Sequence, residues 1–179
     1  MLKAKPGQLN YATAGVGSGA HVSIEKFNVA TGVKALHVPL KGTPPILSET
    51  MAGRIQYAFV PAVSGMGPIK DGKVKALAVS TGKRVAALPE VPTLGEAGFP
   101  GGESTFWLAL LAPAKTPSAI VGQINAELRR ALQSAELKER LAKLGTEPMS
   151  MSPAESDAFI RREHDELGKI MRDAGLTPQ

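Results

Sequence analysis

The chain has 179 residues, 43% of them hydrophobic and 21% charged, with no cysteine and a formal net charge of +5. That length allows one sizeable domain or two small lobes, and the composition is that of a folded chain, not of a disordered one. Disulfides, thiolate nucleophiles and cysteine-type zinc sites are excluded; no run approaches the roughly 18 apolar residues of a membrane span, and eight aromatics without a basic run longer than two residues speak against nucleic-acid binding. Charge is unevenly spread. Residues 1–115 hold twelve Lys/Arg against six Asp/Glu and residues 116–179 hold nine against ten, so the first part is the expected home of an anionic ligand.

The opening Met1-Leu2-Lys3-Ala4-Lys5-Pro6 has no apolar signal core, so the chain as written is expected to stay in the cytoplasm. Residues 9–14 then read as a strand that breaks at Gly15-Val16-Gly17-Ser18. A helix follows from Gly19, with apolar residues at Ala20, Ile24, Phe27 and Ala30 and an end near Gly32; His21, Glu25 and Asn28 lie on a different face. A helix N-terminus carries about half a positive charge and several unpaired N–H groups, so this corner is a natural seat for a small anion, a carboxylate above all. Gly15 and Gly17 permit close backbone approach, and Thr13 and Ser18 add hydroxyl donors. The plainer alternative is an ordinary strand–turn–helix corner with Ser18 as N-cap.

Residues 35–40 form the second expected strand. Thr43-Pro44 starts the next helix, with the Thr43 hydroxyl as N-cap and proline at the first helical position, and the helix stops at Gly53. Residues 55–60 and 74–80 read as third and fourth strands, separated by a short helix or ordered loop at 61–72. Strands alternating with helices of this length predict βαβ units and a mainly parallel sheet. Residues 81–102 are connector sequence, with room for one short helix after Pro92. Residues 104–112, carrying Trp107, read as a strand buried on both faces. Three helices follow. The first begins at Thr116-Pro117, with Ile120, Val121, Ile124, Leu128 and Leu132 on one face, and the second near Ser134. The third opens on the capping box Ser152-Pro153-Ala154-Glu155, and a short strand is expected at 147–151 before it. This half thus supplies helices with hardly any sheet to cover.

Catalytic chemistry is thin. His21, His37 and His164 lack metal-ligand spacing, Ser64 lacks the preceding glycine of a nucleophile elbow, and no P-loop is present. Neither catalysis, a cofactor nor a metal is expected. One alternative stays open: Gly15-Val16-Gly17-Ser18-Gly19-Ala20 satisfies the Gly-x-Gly-x-x-Gly/Ala spacing of a dinucleotide-binding, Rossmann-like enzyme domain. Against it, the preceding strand is polar, and Ala35-Leu36-His37 stands where an acidic ribose ligand belongs.

Over nearly its whole length the chain resembles the periplasmic solute receptors of tripartite tricarboxylate transporters, the Bug proteins. The matching segments are Tyr11 to His21, His37-Val38-Pro39-Leu40-Lys41-Gly42, Lys70 to Val79, Leu88-Pro89-Glu90-Val91-Pro92-Thr93 with Glu96-Ala97-Gly98, and Trp107 with Leu110-Leu111-Ala112-Pro113 and Thr116-Pro117. The resemblance implies an α/β, type II periplasmic-binding-protein fold. Residues 8–102 would form one complete lobe, the second ligand-binding lobe. Residues 103–179 would be the C-terminal return into the first lobe, whose N-terminal part has no counterpart here.

It further implies a periplasmic protein that hands a small carboxylate to membrane components of the transporter. Thr13, Gly15, Gly17 and Ser18 would hold the carboxylate, with His21, Gly42, Thr43 and Pro61 lining the same cleft. Phe59-Val60-Pro61 is apolar where the family commonly places Asp-Asn, and Leu40 replaces a tyrosine. Both departures favour a monocarboxylate or a more apolar solute. A lobe without its opening strands is also expected to pair with itself as a homodimer through exposed edges.

Overall fold

The computed structural model describes residues 7–175; the opening Met1 to Pro6 and the end of the 103–179 segment lie outside the described residues. The chain runs β1 (Asn10–Thr13), α1 (Gly19–Thr31), β2 (Leu36–Pro39), α2 (Thr43–Met51), β3 (Tyr57–Ala58), α3 (Ala62–Lys70), α4 (Ser118–Gln133), α5 (Ala135–Lys143) and α6 (Pro153–Asp173). The three strands form one parallel sheet in the order β2-β1-β3, with Tyr11 opposite both His37 and Tyr57. The α/β class and the parallel sheet are as the alternation of elements predicts.

Strand alternation gives this small sheet two unlike faces. Ala12, Val38 and Ala58 point to one side, where α2 closes an apolar core around Ile46 and Ile55. Tyr11, Thr13, His37 and Tyr57 point to the other, where α1 covers them with His21, Glu25 and Asn28. A second apolar cluster of Phe27, Val33 and Leu94, backed by Phe59, Ala78 and Phe99, anchors α1 to the connector. Gly32 ends α1 in the left-handed region at φ 66°, its N–H donating to the carbonyls of Asn28 and Val29.

Three expected strands are absent. Residues 74–80 keep a single parallel bridge, Val79 with Thr93, because their backbone groups pair with the 92–94 turn instead of with β3. Residues 104–112 are extended but belong to no sheet, and Leu108, Leu110 and Leu111 are 86%, 69% and 75% exposed. Apolarity there marked a segment that needs a covering layer, and among the described residues none covers it. Residues 147–151 likewise find no pairing partner. The short helix expected after Pro92 is a turn, closed by Ala97 N–H to Thr93 O.

The three C-terminal helices form as expected. Ser152 and Glu155 make both halves of the capping box, and Ser134 caps α5 by accepting from Leu137 N–H. None of α4, α5 and α6 has a buried residue. The α6 helix is tied to α1 by Lys26–Glu166 at 3.2 Å, and Trp107 packs edge-on against Phe159 while donating to Glu163. No described helix is long and apolar enough to cross a membrane.

Candidate functional site

In a parallel sheet every strand ends at the same edge, and the helix that follows starts there. Here β1, β2 and β3 lead into α1, α2 and α3, so three helix N-termini gather along the carboxyl edge, at Ser18, Gly42 and Pro61. The order β2-β1-β3 makes the crevice between β1 and β3 the point where the chain reverses its winding, which is where α/β sheets take ligands. Thr13, Gly15, Gly17, Ser18, His21, Gly42, Thr43 and Pro61 all fall on this edge, contributed by three separate βα connections.

Their individual states differ from the expectation of a row of free donors. Thr13 is fully buried; its hydroxyl lies 2.6 Å from His37 Nε2, donates to Gly15 O at 3.1 Å and accepts Gly15 N–H at 3.3 Å. Gly17 N–H donates to His21 Nδ1 at 3.0 Å, and Ser18 N–H to Gly15 O at 3.3 Å. A buried hydroxyl must be paired, so Thr13 braces the turn instead of facing solvent. Ser18 Oγ caps α1 by accepting from His21 N–H at 3.3 Å. Among the described residues, the N–H groups of Val16, Gly19 and Ala20 have no acceptor. They stand at the exposed mouth of the turn, where Val16 is 51% exposed.

Gly15 and Gly17 hold φ of 121° and 77°, a left-handed geometry that side chains resist. At the second N-terminus the N-cap is Gly42, at φ 93° and ψ 178°, a region open essentially to glycine alone. Thr43 is therefore the first helical residue and caps nothing with its hydroxyl, contrary to the sequence reading. Glycine wins the cap because only it can turn the chain from β2 directly into α2. Pro61 is the N-cap of α3 and offers no donor, which leaves that corner of the edge apolar.

Behind the turn lies a buried polar layer that the sequence did not reveal. Tyr11 donates to Glu25, Asn28 donates to Glu25 at 3.1 Å, and Tyr57 donates to Asn28 at 3.2 Å. His37 stacks between the rings of Tyr11 at 5.0 Å and His21 at 4.2 Å. The available signal was partial: His21, Glu25 and Asn28 share a helix face, and Tyr11 and Thr13 alternate on β1. The sheet register that brings His37 and Tyr57 beside them cannot be counted from one sequence. Burial holds the Tyr11 phenol well above its ordinary range, helped by its bond to Glu25, and pushes Tyr57 up to about 12. Among the described residues no group of His, Asp and Glu is arranged to hold a metal.

Burial lowers both histidines below the ordinary imidazole value of about 6.5, and for His37 the neighbouring His21 adds to the effect. Below that value the unfolded chain takes up protons that the folded chain resists. Stability is thus full above about pH 6.5 and is lost as the pH falls from there through the lowered folded values. The melting temperature is expected to drop between pH 7.5 and pH 5.0; an unchanged or rising value would contradict the assignment.

Comparison with known proteins supplies an independent reading of the chain. Residues 1–176 match the model of a family described as the tripartite tricarboxylate transporter family receptor. The chain is 33% identical over 181 residues to the UPF0065 protein of the tcbD–tcbE intergenic region of a Pseudomonas species, covering 99% of this chain and 54% of that protein. Among solved structures it is similar to Rhodopseudomonas palustris Rpa4515 with adipate, with a TM-score of 0.92 and 32% identity over 99% of this chain and 60% of that one. It is also similar to MatC of the same organism with bound malate, with a TM-score of 0.82 and 32% identity over 92% of this chain and 57% of that one. The chain spans about half the length of most of the curated relatives it matches. These likenesses do not favour the dinucleotide-binding alternative.

Proposed function

The chain belongs to the tripartite tricarboxylate transporter receptor family, and on that premise we propose that it captures a small carboxylate at the carboxyl edge of its sheet. One observation carries the reading: three helix N-termini open onto a single edge, and the first still offers the N–H groups of Val16, Gly19 and Ala20. A carboxylate there accepts hydrogen bonds of the charge-assisted kind, each worth about 1.5–3 kcal/mol. Ser18 adds its hydroxyl, while Thr13, Gly15, Gly17 and His21 hold the turn in shape. Gly42, Thr43 and Pro61 line the far side of the cleft. Leu40 and Phe59-Val60-Pro61 make that side apolar, which suits a solute with a hydrocarbon body, such as the adipate of Rpa4515, better than the hydroxylated malate of MatC.

In this reading residues 8–102 are the second lobe and residues 103–179 belong to the first. The receptor acts in the periplasm and delivers its solute to the membrane components of the transporter, without catalysis. Isothermal titration with adipate, malate and citrate tests the assignment. Saturable binding is expected, with adipate ahead of malate; no heat from any of the three at millimolar concentration would overturn it.

The exposed run at 104–112 and the half-exposed apolar stripe of Ile120, Ile124 and Leu128 on α4 support self-association of the chain. Gel filtration with light scattering is expected to return twice the 18.7 kDa chain mass or more, and a monomer at micromolar concentration would count against it.

A further inference from the structure

His21 and His37 are unusual for a pair of imidazoles: they are stacked 4.2 Å apart with planes 12° from parallel, inside a layer where His21 is 1% exposed. Each is bonded to the glycine turn. His21 grips the turn twice, its backbone N–H on Ser18 Oγ and its ring Nδ1 on Gly17 N–H at 3.0 Å. His37 reaches it through Thr13, whose hydroxyl binds both the carbonyl and the N–H of Gly15. The segment from Thr13 to Ser18 is thus ordered largely by the two stacked rings, His21 as an acceptor and His37 as a donor.

We propose that His21 is a positioning residue that holds the glycine turn in its binding shape only while its ring is neutral, with His37 stacked on it and bracing the turn through Thr13, so that a proton on His21 opens the carboxylate seat. The proposal rests on the carboxylate reading of that edge. Its physical basis is a donor conflict. His21 Nδ1 accepts from Gly17, which fixes the neutral ring with its proton on Nε2. A second proton on Nδ1 would set N–H against N–H and expel Gly17. It would also place a cation flat against His37, where a positive neighbour is resisted.

Tyr11 on β1 stacks on the pair and Glu25 on α1 acts on both rings, with Asn28 on α1 and Tyr57 on β3 behind them in the same layer. Glu25 is the carboxylate whose charge acts on both rings, and it already accepts from Tyr11 and Asn28. It can offset one positive charge, not two. An ordinary cationic seat binds anions more tightly as its histidines protonate; this one should bind them more weakly. The two behaviours differ in sign.

The test has two arms. In the ligand-free protein, amide and imidazole NMR spectra are followed from pH 7.5 to 5.0. The Gly17 amide is expected to shift and to lose exchange protection with the same midpoint as the His21 ring. In His21→Asn, whose Oδ1 can stand near the place of Nδ1 but does not titrate, Gly17 is expected to be insensitive to pH. If that variant does not fold, His37→Gln serves instead, and Gly17 should then follow a single midpoint, that of His21. A Gly17 amide that ignores pH in the native chain overturns the proposal.

In the second arm, adipate affinity is measured at pH 7.5 and 5.5. The native chain is expected to lose at least about tenfold more than His21→Asn, whose loss reflects only protonation of adipate. An equal or smaller loss overturns the coupling. Joint titration of Gly17 and His21 without adipate or malate binding at either pH would overturn the carboxylate reading and the coupling to it, leaving the proton-dependent turn in place.

Discussion

Ile46→Ala is expected to lower folding stability by about 2–4 kcal/mol, the range for truncating a fully buried aliphatic side chain in a core that relaxes only partly. Ile46 is 1% exposed and sits where α2 meets the apolar face of the sheet, packed with Ala12 and Ile55 and flanked by Val38, Leu40, Ala58 and Val60. The small alanines opposite it cannot move into the space, so the cavity persists. Urea unfolding should show a lower midpoint at unchanged slope. Ile124→Ala on α4, where the side chain is 44% exposed, should stay within about 0.5 kcal/mol. A loss below about 1 kcal/mol at Ile46 would mean that α2 is not docked on the sheet as described, and the second helix N-terminus would then lose its place at the edge.

The sequence makes the frame of this edge readable because its signals are local. Glycines at 15, 17, 32 and 53, the proline after Thr43 and the Ser152–Glu155 box each act within one turn of chain, and the elements they delimit are all present. The strands at 74–80, 104–112 and 147–151 misled because a strand is a relation between segments. Their apolar or β-branched residues express a demand for a neighbour that the described residues do not supply. The Thr43 cap failed for a different reason: Gly42 can reach φ 93° and threonine cannot, so backbone freedom outweighed hydroxyl chemistry.

The site residues themselves were legible in position, since βα connections place them at one edge. Their hydrogen-bonding state was not. Whether the Thr13 hydroxyl is free depends on His37, twenty-four residues away and one strand over. Likewise the polar face of the sheet could not be inferred from composition. Tyr11, His37 and Tyr57 are ordinary strand residues until the register sets them side by side against Glu25.

Glu25→Ala is expected to cost about 2–3 kcal/mol, because it removes the shared acceptor of that polar layer and leaves two buried donors without a partner. Tyr11 is 3% exposed and Asn28 8%, so water cannot easily replace the lost carboxylate. Glu25→Gln keeps an acceptor oxygen at nearly the same place and should cost about half as much, since only the charge-assisted part of the bonding goes. The ratio between the two variants separates an acceptor role from a purely electrostatic one; equal losses would mean that the charge, not the geometry, holds the layer. The glutamine variant carries a second consequence. Glu25 raises the proton affinity of both His21 and His37 against the effect of burial. Neutralising it should therefore move both histidine midpoints further down, which widens the span over which the unfolded chain binds more protons and deepens the loss of stability between pH 7.5 and 5.5, beyond the fall already present at neutral pH. Histidine titrations by NMR and melts at pH 5.5 and 7.5 read this directly. An upward shift of either midpoint would place the carboxylate elsewhere than against the stacked rings.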